Sequence, residues 1–262
     1  MKVVLFCGGL GMRLRDYSDT IPKPMVEIGY RPILWHIMKY YAYYGHKDFI
    51  LCLGYRADVI KNYFLNYNEC LSNDFVLSKG SKELRLITSD IDDWTITFLD
   101  TGYTSNIGQR LYAVKDYLNG EDMFLANYAD GLTNMHLPSQ IDHFKSRDKI
   151  AGFVVVRPKW SFHMITLGND DRVSAIQHLT QSSIWINGGY FIFKKEIFDY
   201  FENGEELVEE PFRRLIEKEE LITYKHEGFW ASMDTYKDRQ QLGEMFRQGD
   251  APWQVWNTIR KP

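Results

Sequence analysis

The chain has 262 residues, of which 45% are hydrophobic and 25% are charged, with a formal net charge of −4. This composition provides enough apolar surface for a large folded core and excludes an intrinsically disordered chain. The slightly negative charge argues against a protein that binds nucleic acid through general attraction to phosphates, although it is compatible with a small cationic pocket.

The cysteines and the apolar runs indicate where the protein works. Cys7, Cys52 and Cys70 are odd in number and widely spaced, so they predict neither a disulfide framework nor a zinc site. This pattern favours a reducing compartment. No apolar run reaches the roughly 18 residues of a membrane span, and the apolar stretch after Met1 is too short for a signal peptide. We therefore expect a cytoplasmic protein without a membrane segment.

A glycine-rich loop over residues 8–14 follows the first predicted strand. Its three glycines in four residues let the backbone turn sharply and approach a ligand closely, and gathered backbone N–H groups favour an anion. Arg13 adds a full positive charge. The spacing matches neither the Walker motif nor the dinucleotide fingerprint, so the pattern predicts a polyphosphate site of another kind. An ordinary turn after the strand is the alternative.

The first half of the chain alternates strands and helices. In chain order the predicted elements are strand 2–7, a helix from Pro32 to Gly45, strand 48–53, helix 58–66, a hairpin of segments 84–88 and 94–99 with its turn at 90–93, helix 108–117 and strand 123–127. Short connections between strand, helix and strand are typical of a parallel sheet. The last strand leads to Asp130, and open α/β sheets bind ligands at the carboxyl ends of strands. Asp130 is therefore well placed for chemistry, with a simple turn as the alternative.

The second half is richer in β-structure. Its predicted elements are helix 138–147, strand 151–156, a hairpin of segments 164–167 and 172–179 with its turn at 168–171, strand 185–193, helices 195–201 and 211–217, strand 221–225 and helix 235–247. No linker or internal repeat divides the chain. We predict an α/β fold with a Rossmann-like mixed, mainly parallel sheet flanked by helices, in a single domain over residues 1–262. We call residues of about 1–135 the N-terminal half and those of about 136–262 the C-terminal half.

Several motifs stand in an order that resembles a known family. They are the loop over residues 8–14, Pro22-Lys23-Pro24-Met25, Asp130-Gly131 after a strand, Ile186-Asn187-Gly188-Gly189, Gly228-Phe229-Trp230, Met233-Asp234-Thr235 and Ala251-Pro252-Trp253. Over essentially the whole chain they resemble the sugar-1-phosphate nucleotidyltransferases and, within that family, the bacterial glucose-1-phosphate cytidylyltransferases. The resemblance implies a glycosyltransferase-A-like fold, with a nucleotide site in the N-terminal half and an acceptor site in the C-terminal half.

The resemblance also implies a reaction. A sugar-1-phosphate oxygen would attack the α-phosphorus of CTP to give a CDP-sugar and pyrophosphate, with glucose 1-phosphate as the most conservative acceptor. Transfers of this type need positioning and charge neutralisation more than they need a protein nucleophile. We therefore expect the site to contain glycines, cationic side chains, and carboxylates that hold Mg²⁺. Mg²⁺ is the expected cofactor.

Four charged side chains receive catalytic roles from the resemblance. Lys23, fixed between two prolines, would contact the α-phosphate, and Arg13 would face the β- and γ-phosphates. Asp130 and Asp234 would ligate Mg²⁺, because two carboxylates with phosphates and water suit this ion. The expected nucleotide contacts are Phe6, Cys7, Gly8, Gly9, Leu10, Gly11, Met12, Arg13, Lys23, Ser105, Arg110 and Ala129. For Ser105 the alternative role is a helix cap, and for Arg110 it is a surface cation.

The acceptor side departs from the family pattern. The family carries Glu-Lys-Pro at the end of the strand that begins here at Val173, and His178, Leu179 and Thr180 occupy those positions. The lysine that meets the sugar phosphate is thus replaced by an apolar side chain. The family's small glycine in an upstream segment is His163 here, and an unperturbed imidazole is mostly neutral at pH 7. The expected acceptor contacts are His163, His178, Asn187, Gly188 and Trp230.

Two alternatives to transfer onto glucose 1-phosphate follow from this departure. The replacement at Leu179 favours a different phosphorylated or phosphonylated acceptor. The second alternative is a non-catalytic nucleotide-binding paralogue, although such a protein would not need Lys23, Asp130 and Asp234 together. The expected partners are CTP and a phosphorylated small molecule, without nucleic acid or a membrane. Similar enzymes self-associate, so we expect a homo-oligomer.

Overall fold

A seven-stranded sheet forms the centre of the molecule. The computed structural model describes residues 1–9, 21–158, 163–179 and 183–259. In chain order its strands are β1 (Val3–Phe6), β2 (Glu27–Ile28), β3 (Arg31–Pro32), β4 (Asp48–Leu53), β5 (Phe75–Ser78), β6 (Glu83–Leu86), β7 (Thr95–Asp100), β8 (Met123–Asn127), β9 (Gly131–Thr133), β10 (Ala151–Val156), β11 (His163–Leu167), β12 (Val173–His178), β13 (Ile186–Lys194), β14 (Leu221–His226) and β15 (Trp230–Ser232). The α-helices are α1 (Ile33–Tyr43), α2 (Ala57–Leu65), α3 (Ile107–Ala113), α4 (Leu137–Arg147), α5 (Glu210–Glu217) and α6 (Tyr236–Arg247).

The central sheet is mainly parallel, as predicted. Its strand order is β14-β10-β13-β8-β1-β4-β7. β8, β1, β4 and β7 pair in parallel, and β10 pairs in parallel with β14. β13 lies between these two groups and runs antiparallel to both of its neighbours. Six of the seven strands therefore point the same way, and their carboxyl ends share one edge of the sheet.

The chain reverses its direction of travel across the sheet at β1. After β1 it moves outward to β4 and β7, and it then returns to the other side of β1 to form β8. The connection from β1 therefore leads towards β4, whereas the connection from β8 leads to the strands on the other side of β1. In open α/β sheets such a switch point leaves the crevice in which ligands bind.

Helices cover both faces of the sheet because its strands are apolar on both sides. Val3 and Leu5 of β1 belong to one core cluster, which also contains residues of α1 and α4. Val4 and Phe6 belong to the opposite cluster, which contains residues of α3 and α5. This alternation follows from the two-residue repeat of a strand and gives the molecule its three layers. No helix among the described residues is long and apolar enough to cross a bilayer.

The predicted arrangement of residues 75–100 is wrong. The hairpin consists of β5 and β6, whose residues Phe75 and Leu86 are partners, and residues 90–93 are not its turn. Segment 94–99 instead contributes β7, which pairs in parallel with β4 from Asp48↔Thr95 to Leu53↔Asp100. The sequence pattern identified the strands but not their partners, because alternation of apolar residues does not specify pairing.

Candidate active site

A cavity of about 500 Å³ opens at the carboxyl edge of the sheet, at the switch point between β1 and β8. Its lining combines a glycine turn, aromatic rings, one arginine, one lysine and two carboxylates. The described residues that line it are Phe6, Gly8, Gly9, Lys23, Pro24, Tyr103, Thr104, Ser105, Ile107, Arg110, Tyr128, Ala129, Asp130 and Asp234.

Lys23 lies between the carboxylates of Asp130 and Asp234. Its Nζ donates hydrogen bonds to Asp130 Oδ2 at 2.7 Å and to Asp234 Oδ1 at 2.8 Å. The lysine side chain is 15% exposed, whereas the two carboxylates are 27% and 35% exposed. Oxygens from residues more than a hundred positions apart in the sequence therefore converge on one nitrogen at the cavity wall.

Three separate local structures fix these charged groups. Lys23 begins a 3-10 helix, Lys23–Met25, in which Pro22 and Pro24 restrict the backbone. Asp130 lies three residues after β8 and immediately before β9. Asp234 immediately precedes Thr235, the N-cap of α6, whose capping box with Asp238 fixes the start of that helix. Each of the three side chains thus lies at or beside the boundary of a regular element rather than within a long loop.

A short antiparallel pair connects the two carboxylates through the backbone. Gly131 of β9 is the partner of Ser232 of β15. One residue further, the N–H of Met233 donates to the carbonyl of Asp130 at 2.9 Å. This pairing holds the N-terminal and C-terminal halves together at the point where their carboxylates meet.

The electrostatics of this cluster favour a charged lysine. Burial alone would lower the pKa of Lys23, but the adjacent Asp130 and Asp234 outweigh that effect and raise it. Two carboxylates against one ammonium leave a net negative charge at the centre of the cluster.

The converging carboxylate oxygens are suitable ligands for a hard divalent cation. Within the described part of the chain, no group of three or more His, Cys, Asp or Glu side chains could enclose a metal. Asp130 and Asp234 would therefore supply two ligands and leave the other positions open. Mg²⁺ is commonly bound in this way, by one or two carboxylates with phosphates and water completing its shell.

A strained turn places Asp130 beside the cavity. Ala129, which precedes it, is fully buried and has a left-handed φ of 61°, a conformation that is uncommon for a residue with a Cβ. Its N–H donates to the side-chain oxygen of Asn127 at 2.7 Å. Sequence reasoning missed Asn127, although an Asn two residues before a predicted turn residue is a known signal for such a bond.

Arg110 connects three loops beneath the cavity. Its guanidinium donates to the carbonyls of Gly8, Leu53 and Gly102 and to the hydroxyl of Thr101, at 2.8 to 3.0 Å. Those acceptors lie at the carboxyl ends of β1, β4 and β7 or just beyond them. The side chain is 2% exposed, so it is not the surface cation considered as an alternative. Arg110 lines the cavity, and the same contacts show that it also fixes the backbone around it.

The structure brings together many of the residues predicted to bind the nucleotide. Those that line the cavity are Phe6, Gly8, Gly9, Lys23, Ser105, Arg110 and Ala129, and the predicted metal ligands Asp130 and Asp234 line it too. Cys7 is buried and does not belong to the described lining. Leu10, Gly11, Met12 and Arg13 lie outside the described residues, as does Thr180 on the acceptor side. Tyr103 and Tyr128 also line the cavity, and no sequence motif indicated them.

The residues predicted to bind the acceptor form two separate groups, and none belongs to the described lining of the cavity. His163 and His178 are direct partners in the β11–β12 hairpin, with ring centroids 5.1 Å apart. Trp230 Nε1 donates to the carbonyl of Gly188 at 2.8 Å, and Asn187 contacts the hydroxyl of Tyr128. These contacts support the cavity wall, whereas the acceptor roles stay predictions.

Comparisons with known proteins identify relatives over nearly the whole chain. A family model described as "Nucleotidyl transferase" matches residues 2–238. The chain is 38% identical over 258 residues to a Bacillus subtilis (strain 168) protein named "Probable glucose-1-phosphate cytidylyltransferase", covering 98% of this chain and all of the relative. It is 37% identical over 257 residues to the "Glucose-1-phosphate cytidylyltransferase" of Salmonella typhimurium (strain LT2), again covering 98% of this chain and 100% of the relative.

The fold is also similar to solved structures. A UDP-glucose pyrophosphorylase complexed with UDP-glucose matches with a TM-score of 0.69 at 15% sequence identity, over 95% of this chain and 98% of that chain. At this identity the likeness concerns the fold alone. It confirms the predicted mainly parallel sheet with flanking helices.

Proposed function

The chain belongs to the nucleotidyl transferase family and is a sugar-1-phosphate nucleotidyltransferase, and we propose that it is a Mg²⁺-dependent cytidylyltransferase. Its substrates would be CTP and a sugar 1-phosphate, most conservatively glucose 1-phosphate. The relatives that are named glucose-1-phosphate cytidylyltransferase match nearly the full chain. The observation that supports the proposal best is the Lys23–Asp130–Asp234 cluster at the wall of the cavity.

The charge of that cluster suits a triphosphate that arrives with a divalent cation. A polyphosphate alone would be repelled by Asp130 and Asp234. Asp130 and Asp234 would hold the cation, and Lys23 would then be available to the phosphates. Mg²⁺ would neutralise charge on the phosphate oxygens and orient the leaving pyrophosphate.

Lys23 would stabilise the charge that develops on the α-phosphate. The acceptor's phosphate oxygen forms a bond to the α-phosphorus, and the bond from that phosphorus to the bridging oxygen of pyrophosphate breaks. Because the ammonium is held by a proline-flanked turn, it loses little freedom at the moment of reaction. Arg13 and the rest of the loop over residues 8–14 would hold the β- and γ-phosphates, as the family resemblance implies.

A pyrophosphate-release assay tests the proposal. Purified protein is incubated with Mg²⁺, each of the four nucleoside triphosphates, and a panel of sugar 1-phosphates. We expect release with CTP and glucose 1-phosphate, with one CDP-sugar formed per pyrophosphate. Release with another nucleotide but not with CTP would refute the cytidylyl assignment. Tight CTP binding without release with any acceptor would favour the non-catalytic paralogue.

Leu179 supports a second candidate, in which CTP is kept and the acceptor differs. It follows β12 directly, at the position where the resemblance predicts a lysine that meets the sugar phosphate. Turnover that is poor with glucose 1-phosphate but efficient with another phosphorylated or phosphonylated compound in the panel would favour this candidate.

Two further features of the proposed protein concern its surroundings. All three cysteines are free thiols, which supports a place in the reducing cytoplasm. Self-association, expected from the behaviour of similar enzymes, is part of the same proposal. Size-exclusion chromatography with light scattering would test it, and a mass near the 30.9 kDa of one chain would contradict it.

A further inference from the structure

An exposed tyrosine stands at one end of the active-site cavity. Three aromatic residues belong to the described lining: Phe6, Tyr103 and Tyr128. Phe6 is buried in the core, and the half-buried Tyr128 packs its ring against Phe191, with centroids 5.0 Å apart. Tyr103, in contrast, is 57% exposed. Of these three rings it therefore offers the largest accessible surface to a ligand in the cavity.

The backbone around Tyr103 is fixed although its side chain is accessible. Gly102 has a positive φ of 98°, which allows a tight turn. The hydroxyl of Ser105 closes that turn by donating to a backbone carbonyl four residues earlier, at 2.5 Å. Arg110 donates to the carbonyl of Gly102 at 3.0 Å, and the ring of Tyr55 meets that of Tyr103 edge to face, with centroids 5.7 Å apart. A ring on such a support loses little freedom when a ligand packs against it.

Strand register relates Tyr103 to the Lys23–Asp130–Asp234 cluster. Asp130 lies three residues after β8, and Tyr103 lies three residues after β7. The ends of β8, β1, β4 and β7 agree to within two residues of one level, as shown by the partners Leu5↔Asn127, Phe6↔Cys52 and Leu53↔Asp100. Since neighbouring strands lie about 4.8 Å apart, three strand spacings separate the two connections by roughly 14 Å. The cavity follows this edge of the sheet from one connection to the other.

The lining indicates how a nucleotide would lie in the cavity. None of the described lining residues comes from β13, β10 or β14, so the cavity extends from Lys23 towards β7. In the proposed reaction the α-phosphate lies at Lys23, and the base is joined to that phosphate through the ribose. The base would then lie further along the cavity, towards the connection that carries Tyr103. The volume of about 500 Å³ is within the usual range for small-molecule sites.

The chemistry of Tyr103 suits the flat face of a base. A nucleobase is an uncharged aromatic ring system, and a phenol ring provides a rigid apolar surface with few side-chain torsions to fix. Stacking does not depend on the donors and acceptors along the edge of the base. The contact would therefore add affinity for any nucleotide and leave the preference for cytosine to other groups.

We infer that Tyr103 stacks against the nucleobase of the bound nucleoside triphosphate and so helps to position its α-phosphate at Lys23. The inference rests on the proposed function, because it takes the nucleotide from that reaction. It adds to the nucleotide site a residue that the sequence motifs did not indicate, and it assigns this residue to the base rather than to the phosphates.

Equilibrium binding tests this inference without turnover. Calorimetric titration with CTP and Mg²⁺ is compared with titration by inorganic tripolyphosphate and Mg²⁺, which supplies the phosphates without a base. We expect Tyr103→Ala to weaken CTP binding by roughly tenfold or more, since base stacking commonly contributes that much, and to leave tripolyphosphate binding within about twofold. Tyr103→Phe keeps the ring and should bind CTP within about twofold of the wild type. Tyr117→Ala is the matched control, because Tyr117 is also exposed and does not belong to the described lining.

Steady-state kinetics separate the base from the sugar ring of the acceptor, which can also pack on an aromatic side chain. We expect Tyr103→Ala to raise the KM for CTP by roughly tenfold or more and to change the KM for glucose 1-phosphate by less than about twofold. A raised KM for glucose 1-phosphate with an unchanged KM for CTP would overturn the inference.

The outcomes for this inference and for the proposed function are distinct. Weaker CTP binding in Tyr103→Ala, without pyrophosphate release by the wild type, would support the stacking contact and refute the proposed reaction. Unchanged CTP binding in an enzyme that releases pyrophosphate would overturn the inference alone. Equal weakening of CTP and tripolyphosphate binding would also overturn it, because the ring would then act through the fold. Failure of the wild type to bind any of the four nucleoside triphosphates with Mg²⁺ would refute both.

Discussion

The cavity edge and the β11–β12 hairpin are built in opposite ways. At the edge, the side chains of Arg110 and Asn127 fix the backbone through hydrogen bonds to Gly8 and Ala129. The hairpin is a separate two-stranded sheet, and the apolar residues along it are largely exposed; Ile176, for example, is 65% exposed. One region is fixed by contacts from several strands, and the other depends on its own two strands.

This difference indicates which region of the molecule tolerates changes in its amino-acid sequence. A site that stabilises a developing charge must hold its groups in place before the reaction, so its supporting contacts are many. A surface hairpin carries few such constraints and can change its sequence without loss of the fold. The replacement of the expected lysine by Leu179, next to β12, occurs in the weakly constrained region, whereas Lys23, Asp130 and Asp234 are all present in the other.

The largest effect should come from Lys23. In the proposed reaction, Lys23→Met removes a positioned charge, and we expect a loss of about 10²–10³-fold in kcat for pyrophosphate release. Lys194→Met, which removes a half-buried lysine paired with Asp148, is the control and should remain close to wild type. Activity within a few-fold of wild type in the Lys23 variant would show that the cavity edge is not where catalysis depends on charge.

Acid should weaken the contact between the two halves through His36. Its Nε2 bonds the carbonyl of Ile28, so Nδ1 can accept the N–H of Trp253 at 3.4 Å. Burial, with a smaller effect from Arg31, lowers the pKa of His36 from 6.5 to about 4. The neutral ring therefore stabilises the fold fully above pH 6.5, and this contribution falls as pH decreases towards 4, by about 3 kcal/mol in total.

Urea denaturation between pH 7 and pH 4 measures this effect. The free energy of unfolding should decline less steeply for His36→Gln than for the wild type, whereas His136→Gln, at an exposed position, should retain the wild-type slope. Identical pH dependence in the wild type and the His36 variant would show that the buried imidazole does not link the halves.

Two adjacent glycines at the cavity edge should respond differently to alanine. A Cβ at Gly8 would overlap the guanidinium of Arg110, which four hydrogen bonds hold in place, whereas a Cβ at Gly9 would meet nothing within 4 Å. We expect Gly8→Ala to lower the free energy of unfolding by about 2 kcal/mol, since buried carbonyls lose their donor. Gly9→Ala should change it by less than about 0.5 kcal/mol. Equal changes in the free energy of unfolding for the two variants, measured by urea denaturation, would contradict the role of Arg110 in fixing the backbone around the cavity.

The smallest effect should come from the hairpin. Ile165 and Ile176 are direct partners on one face of it, and each is about half or more exposed. We expect Ile176→Ser to change the free energy of unfolding by less than about 0.5 kcal/mol in urea denaturation. A loss of 2 kcal/mol or more, dependent on protein concentration, would instead show that a second subunit covers this face in solution.

Much of the fold could be predicted because buried strands are continuous apolar runs. Strands 48–53, 123–127 and 151–156 have the predicted bounds. The pairing of β7 with β4 could not be predicted in this way, since an alternating pattern does not identify a partner strand. Lys23, Asp130 and Asp234 were found through motifs, each of which lies within a few consecutive residues.

The supporting contacts could not be predicted. Arg110 donates hydrogen bonds to groups at or just beyond the ends of three different strands, and this proximity exists only after the sheet has formed. Side chains that act through tertiary proximity carry no local pattern.

The two carboxylates that converge on Lys23 provide the most direct test of the account. Pyrophosphate release from CTP and glucose 1-phosphate is measured while Mg²⁺ is titrated, for the wild type, Asp130→Asn and Asp234→Asn. Asp148→Asn, at an exposed position, is the matched control. The account predicts that either cavity variant loses about 100-fold or more of the activity and requires more Mg²⁺, whereas the control does not. Wild-type activity at the same Mg²⁺ concentration in either cavity variant would contradict it.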